Sequence, residues 1–139
     1  MNAKELQAGD WLYAIDEDGN RHLCRANKIE IDYVNNTDDF CVDFYGTDYE
    51  AEWPDVTFKA EPIPITKEIL EKNEWKCYNT YQMYSCSNVP FDLRAQKDGG
   101  FTVEVAADEY GSSTFMFIQY VHQFQHLLKL VGYEKEITL

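Results

Sequence analysis

Two histidines in the stretch YVHQFQHLLKLVG have the spacing of a metal-binding pair. His122 and His126 are four residues apart, which would place both imidazoles on one face of a helix. A zinc protease helix of the pattern HExxH also carries a glutamate as general base after its first histidine. Here that position is Gln123, which accepts no proton at neutral pH. The pair therefore lacks the base that this class of enzyme needs.

Other possible ligands lie far away along the chain. The chain has one other histidine, His22, and Cys24 would lie on the same face of its strand. A four-ligand site would require that strand to dock on the polar face of the helix that carries His122 and His126. We favour the simpler interpretation of two exposed or hydrogen-bonded histidines, and we predict no metal and no other cofactor.

Other catalytic patterns are weak. No serine lies in a GxSxG elbow, and carboxylate pairs such as Asp16 and Asp18 fall in turn sequences, where they are usually solvated. The segment DEDGN lacks the length and the final glutamate of a calcium loop. We expect a protein that is not an enzyme.

The histidine pair belongs to a helix predicted over residues 119–131. At 100° per residue its core stripe holds Val121, Phe124, Leu128 and Val131, flanked by Tyr120 and Leu127. The opposite arc carries polar residues, namely Gln119, His122, Gln125, His126 and Lys129. The pair is therefore predicted to face away from its own core.

The first half of the chain has the pattern of short strands between turns. An apolar run WLYAI precedes the turn DEDGN, and the segments HLCRANKIEIDYV and FCVDFY alternate apolar with polar residues. A further short strand is expected near Val56–Phe58. These signals favour a small antiparallel, barrel-like β unit over residues 1–62.

The segment EPIPIT marks the predicted boundary, because prolines there favour a stiff, extended backbone. Thr66 is expected to cap a helix over residues 67–75. Further on, KDGG predicts the turn of a hairpin over residues 90–106. In that hairpin Phe101, Val103 and Val105 are expected to be buried, with Thr102 and Glu104 outside.

These elements define an α+β fold. A small antiparallel barrel-like β unit is followed by a helix, a β-hairpin and a C-terminal helix packed on the sheet, with residues 63–139 as a second unit or as part of one compact domain. Tyr78, Tyr81 and Tyr84 lie in a segment predicted as loop or irregular strand. Packing in a core or an interface explains them better than base stacking, which normally needs basic neighbours.

Composition limits the partners. The 139 residues carry a net charge of −13, and residues 1–62 alone hold 15 acidic and five basic residues. Such a surface repels nucleic acid and anionic membrane, whereas a protein with a basic patch is a possible partner. No apolar run has the length of a membrane helix or a signal peptide. We therefore expect a cytoplasmic location, and we expect the four cysteines to be free, buried thiols.

Three segments resemble a family of uncharacterised small proteins of gut anaerobes, often encoded near phage or mobile-element genes. The segments are MNAKELQAGDWLY, PIPITKEILEKNEW and IQYVHQFQHLLKLVG, and they match a Leu-x-x-Gly-Asn/Asp opening, a Pro-(Ile/Leu)-Thr-x-Glu-x-Leu middle and a Tyr-Val-His-Gln-Leu-Gln-Asn-Leu ending. Two departures are Glu74-Trp75, where the family often has Gly-Phe, and His126, where it has Asn. The resemblance implies a shared role for His122, Gln123 and Gln125 but no activity.

The leading hypothesis is a non-enzymatic accessory protein of a phage or mobile element that binds another macromolecule. Its expected interaction face combines His122, Gln123 and Gln125 with Tyr78, Tyr81 and Tyr84. One alternative is an acidic mimic of nucleic acid that occupies a DNA-binding protein. Another is a metal-dependent enzyme using His122 and His126.

Overall fold

The computed structural model describes residues 5–16, 18–31, 40–46, 59–78, 80, 82–107 and 111–139. They divide into two compact units, Met1–Ile63 and Pro64–Leu139. The fold is α+β, as predicted, with one antiparallel sheet in the first unit and a second antiparallel sheet with two helices in the second unit.

The first unit is built on four strands, β1 (Trp11–Ile15), β2 (Arg21–Ile31), β3 (Phe40–Gly46) and β4 (Lys59–Pro62). Their order is β3-β2-β1-β4, so the described strands form an open sheet and not a closed barrel. The predicted strand near Val56–Phe58 lies outside the described residues. The neighbouring β4 instead reaches into the segment EPIPIT, and its final residue, Pro62, is tolerated because β4 lies at the sheet edge.

A tight turn before β1 fixes how the chain enters this sheet. Gly9 has a φ of +94°, which glycine adopts without steric cost. The Asp10 carboxylate accepts a hydrogen bond from the Gln7 N–H at 2.7 Å, and the Gly9 N–H donates to the Ala26 carbonyl at 2.7 Å. This turn brings Leu6 onto a buried cluster with Leu12 and Ala26. The Leu-x-x-Gly-Asp segment thus has a structural explanation.

The second unit begins with α1 (Lys67–Lys72), which is shorter than the predicted 67–75. Thr66 caps it as expected, because its hydroxyl oxygen accepts the Ile69 N–H at 3.3 Å. The helix ends in a Schellman motif, with N–H donors of Glu74 to the Glu71 carbonyl and of Trp75 to the Leu70 carbonyl. Glu74 adopts a φ of +68°, a left-handed conformation that glycine takes at less steric cost.

Five strands form the second sheet, in the order of the chain: β5 (Lys76–Tyr78), β6 (Met83–Ser85), β7 (Asp92–Ala95), β8 (Phe101–Ala107) and β9 (Gly111–Ile118). The hairpin expected at KDGG is formed by β7 and β8, and Gly99 and Gly100 both have positive φ in its turn. The helix α2 (Val121–Leu130) follows β9 directly. None of the described helices combines the length and apolarity needed to cross a bilayer.

The hairpin departs from its predicted burial pattern. Phe101 and Val103 are buried as expected, but Val105 is exposed and Glu104 is buried. The pairing of β8 with β9 shifts register between Val103 and Glu104, so strict alternation ends there. Glu104 can be buried because Arg94 pairs with it, with Nε 2.6 Å from Oε1 and Nη2 3.0 Å from Oε2.

Asn73 ties the C-terminal segment to α1. Its carboxamide oxygen accepts the Thr138 N–H at 2.8 Å, and its Nδ2 donates to the carbonyls of Thr138 and Ile69, each at 2.7 Å. Asn73 and Ile137 are both buried. The amide side chain therefore pairs with a peptide group much as a neighbouring strand would.

We expect Asn73→Ala to lower the free energy of unfolding by about 3 kcal/mol, because buried main-chain groups lose their partners. Urea denaturation followed by tryptophan fluorescence measures this loss. Lys135→Ala is the matched control, since it removes only the exposed ion pair with Glu74 from the same C-terminal segment. Equal unfolding midpoints for the two variants would show that the hydrogen bonds of the Asn73 side chain do not stabilise the fold.

Candidate functional site

His122 is fully buried, which corrects the prediction that it faces away from the core. It lies in the first turn of α2, where the ring of the N-cap residue, Tyr120, stacks on it with ring centroids 5.8 Å apart and planes at 8°. The helical wheel treated α2 as a cylinder with one covered face. The chain that leads into the helix covers a second face, and an isolated bridge of Tyr120 to Pro64 holds it there.

His126 is half-buried one turn further along the helix. Its ring meets that of His122 edge-to-face, with centroids 6.0 Å apart and planes at 70°. Of the residues that the structure describes, no three histidine, cysteine, aspartate or glutamate side chains group together as metal ligands do. The expectation that the pair holds no metal stays a prediction.

The core stripe of α2 is confirmed for Val121, Phe124 and Leu128, and Leu127 is buried with them. Val131 is 37% exposed because the helix ends at Leu130 and Val131 serves as its C-cap. Leu130, on the opposite arc, is 80% exposed.

Gln123 has a structural role at the start of α2. Its side-chain oxygen accepts hydrogen bonds from the main-chain N–H groups of Gln119 at 2.8 Å and Tyr120 at 3.2 Å. These two bonds satisfy main-chain N–H groups at the start of the helix, as the N3 side chain of a capping box does. Gln123 was predicted as part of an interaction face, but its acceptor is already engaged within the protein.

The tyrosines of the predicted face do not form one surface. Tyr78 lies on β5 opposite Met83, whereas Tyr84 of β6 lies opposite Cys77, so the two tyrosines point to opposite faces of the sheet. Tyr84 is buried, and its ring meets Phe101 at 5.9 Å. Tyr81 lies outside the described residues. With His122 and Tyr84 buried, the face predicted from sequence is not assembled in this structure.

Of the two described tyrosines in that group, Tyr78 is exposed, at 41%. Its hydroxyl donates a hydrogen bond to Asp92 at 2.5 Å. This bond, together with partial burial, raises the pKa of Tyr78 to about 12, because loss of the phenolic proton would place two negative charges side by side. Tyr78 is therefore neutral and anchored at physiological pH.

His22 forms a pair that sequence reasoning missed. Its Nε2 lies 2.8 Å from Asp16 Oδ2, and the same carboxylate accepts the Asn20 main-chain N–H at 2.7 Å. These bonds lower the pKa of Asp16 to about 2, with the His22 bond as the largest cause. An Asp–His pair can orient a catalytic imidazole. Here the carboxylate also ties the turn between β1 and β2, which is a structural role.

The Asp16 pair predicts a specific dependence of stability on pH. The folded-state pKa lies below the value of about 3.9 expected in the unfolded chain, so the ionised form stabilises the fold above that value. This stabilisation is lost as the pH falls toward about 2. The stability difference between the protein and its Asp16→Asn variant should therefore be largest above pH 4 and shrink below it.

Urea midpoints measured at several pH values between 2.5 and 6 check this expectation. Asp18→Asn is the matched control, because Asp18 is an exposed carboxylate of the same turn. A stability difference between the protein and Asp16→Asn that stays constant over this range would contradict the assigned pairing.

Large apolar side chains are exposed at the β9 end of the second sheet. Met116 and Phe117 are 38% and 49% exposed, and Val105 of the neighbouring β8 is 38% exposed. Met116 pairs with Val103 and Phe117 with Thr102, so the two side chains point to opposite faces of β9. We call these three exposed side chains, Val105 of β8 with Met116 and Phe117 of β9, the β9 edge. The sequence did not predict this exposure, because the apolar run TFMFI is equally compatible with a buried strand.

Phe117 is held in place by the hairpin turn. A Cβ added at Gly100 would come within 2.5 Å of the Phe117 ring and 2.8 Å of the Ile118 carbonyl oxygen. The ring therefore lies directly over the Gly100 main chain. Gly99, also at positive φ, has no described atom within 4 Å of such a Cβ.

This difference predicts the outcome of two alanine substitutions. Both impose the strain of a left-handed φ, but only Gly100→Ala also displaces the Phe117 ring. We expect Gly100→Ala to be less stable than Gly99→Ala by about 1–3 kcal/mol. Thermal denaturation of the two variants measures the difference, and equal melting temperatures would mean that Phe117 does not pack on this turn.

The cysteine side chains differ in their exposure. Cys24 and Cys86 are buried cysteines outside any described disulfide, as expected, whereas Cys77 is an exposed thiol. The acid-rich residues 32–39 and 47–58 lie outside the described residues, so the nucleic-acid mimic stays a prediction. Comparison of the chain with models of protein families, with curated proteins and with solved structures finds no match.

Proposed function

We propose that this is a non-enzymatic accessory protein that binds another protein through the β9 edge. The observation that carries the proposal is the exposure of Met116 and Phe117 on a strand, GSSTFMFI, that contains neither a charged residue nor proline. Natural sheet edges are usually guarded by such residues, and exposed apolar groups often mark contact sites. Both features favour a surface that another chain covers.

The ionisable groups support the same proposal. Several of them are engaged in ion pairs within the described chain, namely Asp16–His22, Arg21–Glu61, Arg94–Glu104 and Glu74–Lys135. Ionisable side chains that are engaged with each other in this way suit a binding protein better than an acid–base catalyst. The resemblance of three segments to proteins encoded near phage genes is the reason to propose an accessory role in a phage or mobile element.

Lysine substitutions test the proposed surface. We expect the tagged protein to retain a partner from a lysate of the organism that encodes it, and Phe117→Lys to lose most of that partner, because the substitution removes the exposed ring and places a charge at the contact. Quantitative mass spectrometry of the retained proteins measures the loss.

Leu130→Lys is the matched control. Leu130 is more exposed than Phe117 but lies on α2, and the substitution changes the net charge equally. A partner that Leu130→Lys loses and Phe117→Lys retains would move the binding surface to α2. Retention of no specific partner at micromolar protein would count against a binding function altogether.

A further inference from the structure

Among the described strands, β9 is the last strand of its sheet. In the order β5-β6-β7-β8-β9 the strand has β8 on one side and no described strand on the other. The described chain meets only the continuation of this edge, where the Ile65 N–H donates to the Gln119 carbonyl at 3.0 Å and Pro64 bridges Tyr120. A strand can therefore be added beside residues 111–117, ending where Pro64 begins.

We infer that a second copy of this chain occupies this edge, with the two β9 strands paired antiparallel about a two-fold axis. This inference rests on the surface assigned under the proposed function. Antiparallel pairing of one strand with itself is self-complementary, so the assembly closes as a dimer and leaves neither β9 strand unpaired. The two sheets join into one of ten described strands.

Charge restricts where a second copy can bind. Each chain carries a net charge of −13, so two copies repel each other over most of their surface. The strand GSSTFMFI contributes no charge, and main-chain hydrogen bonds along it bring no carboxylates of this segment face to face. Because Met116 and Phe117 point to opposite faces, both faces of the joined sheet gain apolar contact at the seam.

The size of the seam sets the expected behaviour of the dimer. One strand on each side buries less surface than a typical stable interface, so the dimer should depend on concentration. Salt should strengthen it, because screening weakens the repulsion between two acidic chains while the uncharged seam is unaffected. An interface built from ion pairs would show the opposite salt dependence.

Sedimentation equilibrium of the full chain from about 5 to 500 µM, at low and high salt, tests the inference. We expect a monomer–dimer equilibrium that shifts toward dimer in high salt, with at least a tenfold weakening in Met116→Lys and in Phe117→Lys. Leu130→Lys should dimerise as the unmodified protein does. Because each lysine lowers the net negative charge by one, a loss confined to the β9 variants cannot come from added repulsion.

Amide hydrogen exchange provides a readout that does not depend on the variants folding well. In the unmodified protein, exchange of the outward-pointing amides of residues 111–117 should slow as the concentration rises. A monomer at every concentration overturns the inference, as does a dimer that all three variants preserve or a protection pattern that spares β9.

Failure of the inference and failure of the proposed function are distinguishable. A monomeric protein that still retains another protein through Phe117 keeps the binding function and overturns the self-pairing. A dimer sensitive to Phe117 that retains no other protein supports the self-pairing and overturns the accessory binding role. A partner strand and a second copy would compete for one edge, so partner binding should dissociate the dimer.

Discussion

The packing of Trp75 is the contact on which the arrangement of the second unit depends. The indole is 1% exposed and lies between Phe91, at 5.6 Å, and Phe124, at 5.5 Å, so it joins the approach to β7 with α2. Its position is set by the Schellman motif that ends α1, which turns the chain sharply enough to direct the ring inward. Removing a buried tryptophan of this kind typically costs about 3–5 kcal/mol, a large part of the stability of an ordinary domain.

Much of the fold follows from local patterns in the sequence. Capping by Thr66, the turn at Gly99 and Gly100 and the apolar stripe of α2 each depend on residues close together along the chain, and each was predicted correctly except for Val131 at the end of the stripe. The early end of α1 was not predictable in the same way. It depends on Glu74 taking a left-handed φ that glutamate seldom adopts, at which the Glu74 and Trp75 N–H groups donate to the Glu71 and Leu70 carbonyls.

The candidate site was much less predictable, because burial there is decided by residues distant in sequence. Nothing within α2 shows that Tyr120 will cover His122, since the bridge to Pro64 spans most of the second unit. Likewise, Phe117 reads as a core residue until the register of β8 and β9 places its ring on Gly100. The three segments that suggested a family contain a turn, a helix cap and a helix start. Motifs of that kind specify architecture and carry no information about chemistry.

The bond between Asn73 and Thr138 has a consequence for how the protein is made. The two residues are separated by 65 positions, so α1 emerges from the ribosome well before the segment that completes its C-terminal end. At synthesis rates of about 5–20 residues per second, the interval is on the order of several seconds. During that time the apolar groups around Trp75 lack part of their cover. The second unit therefore matures late, and a chaperone that shields apolar segments during translation would find its best target in this interval.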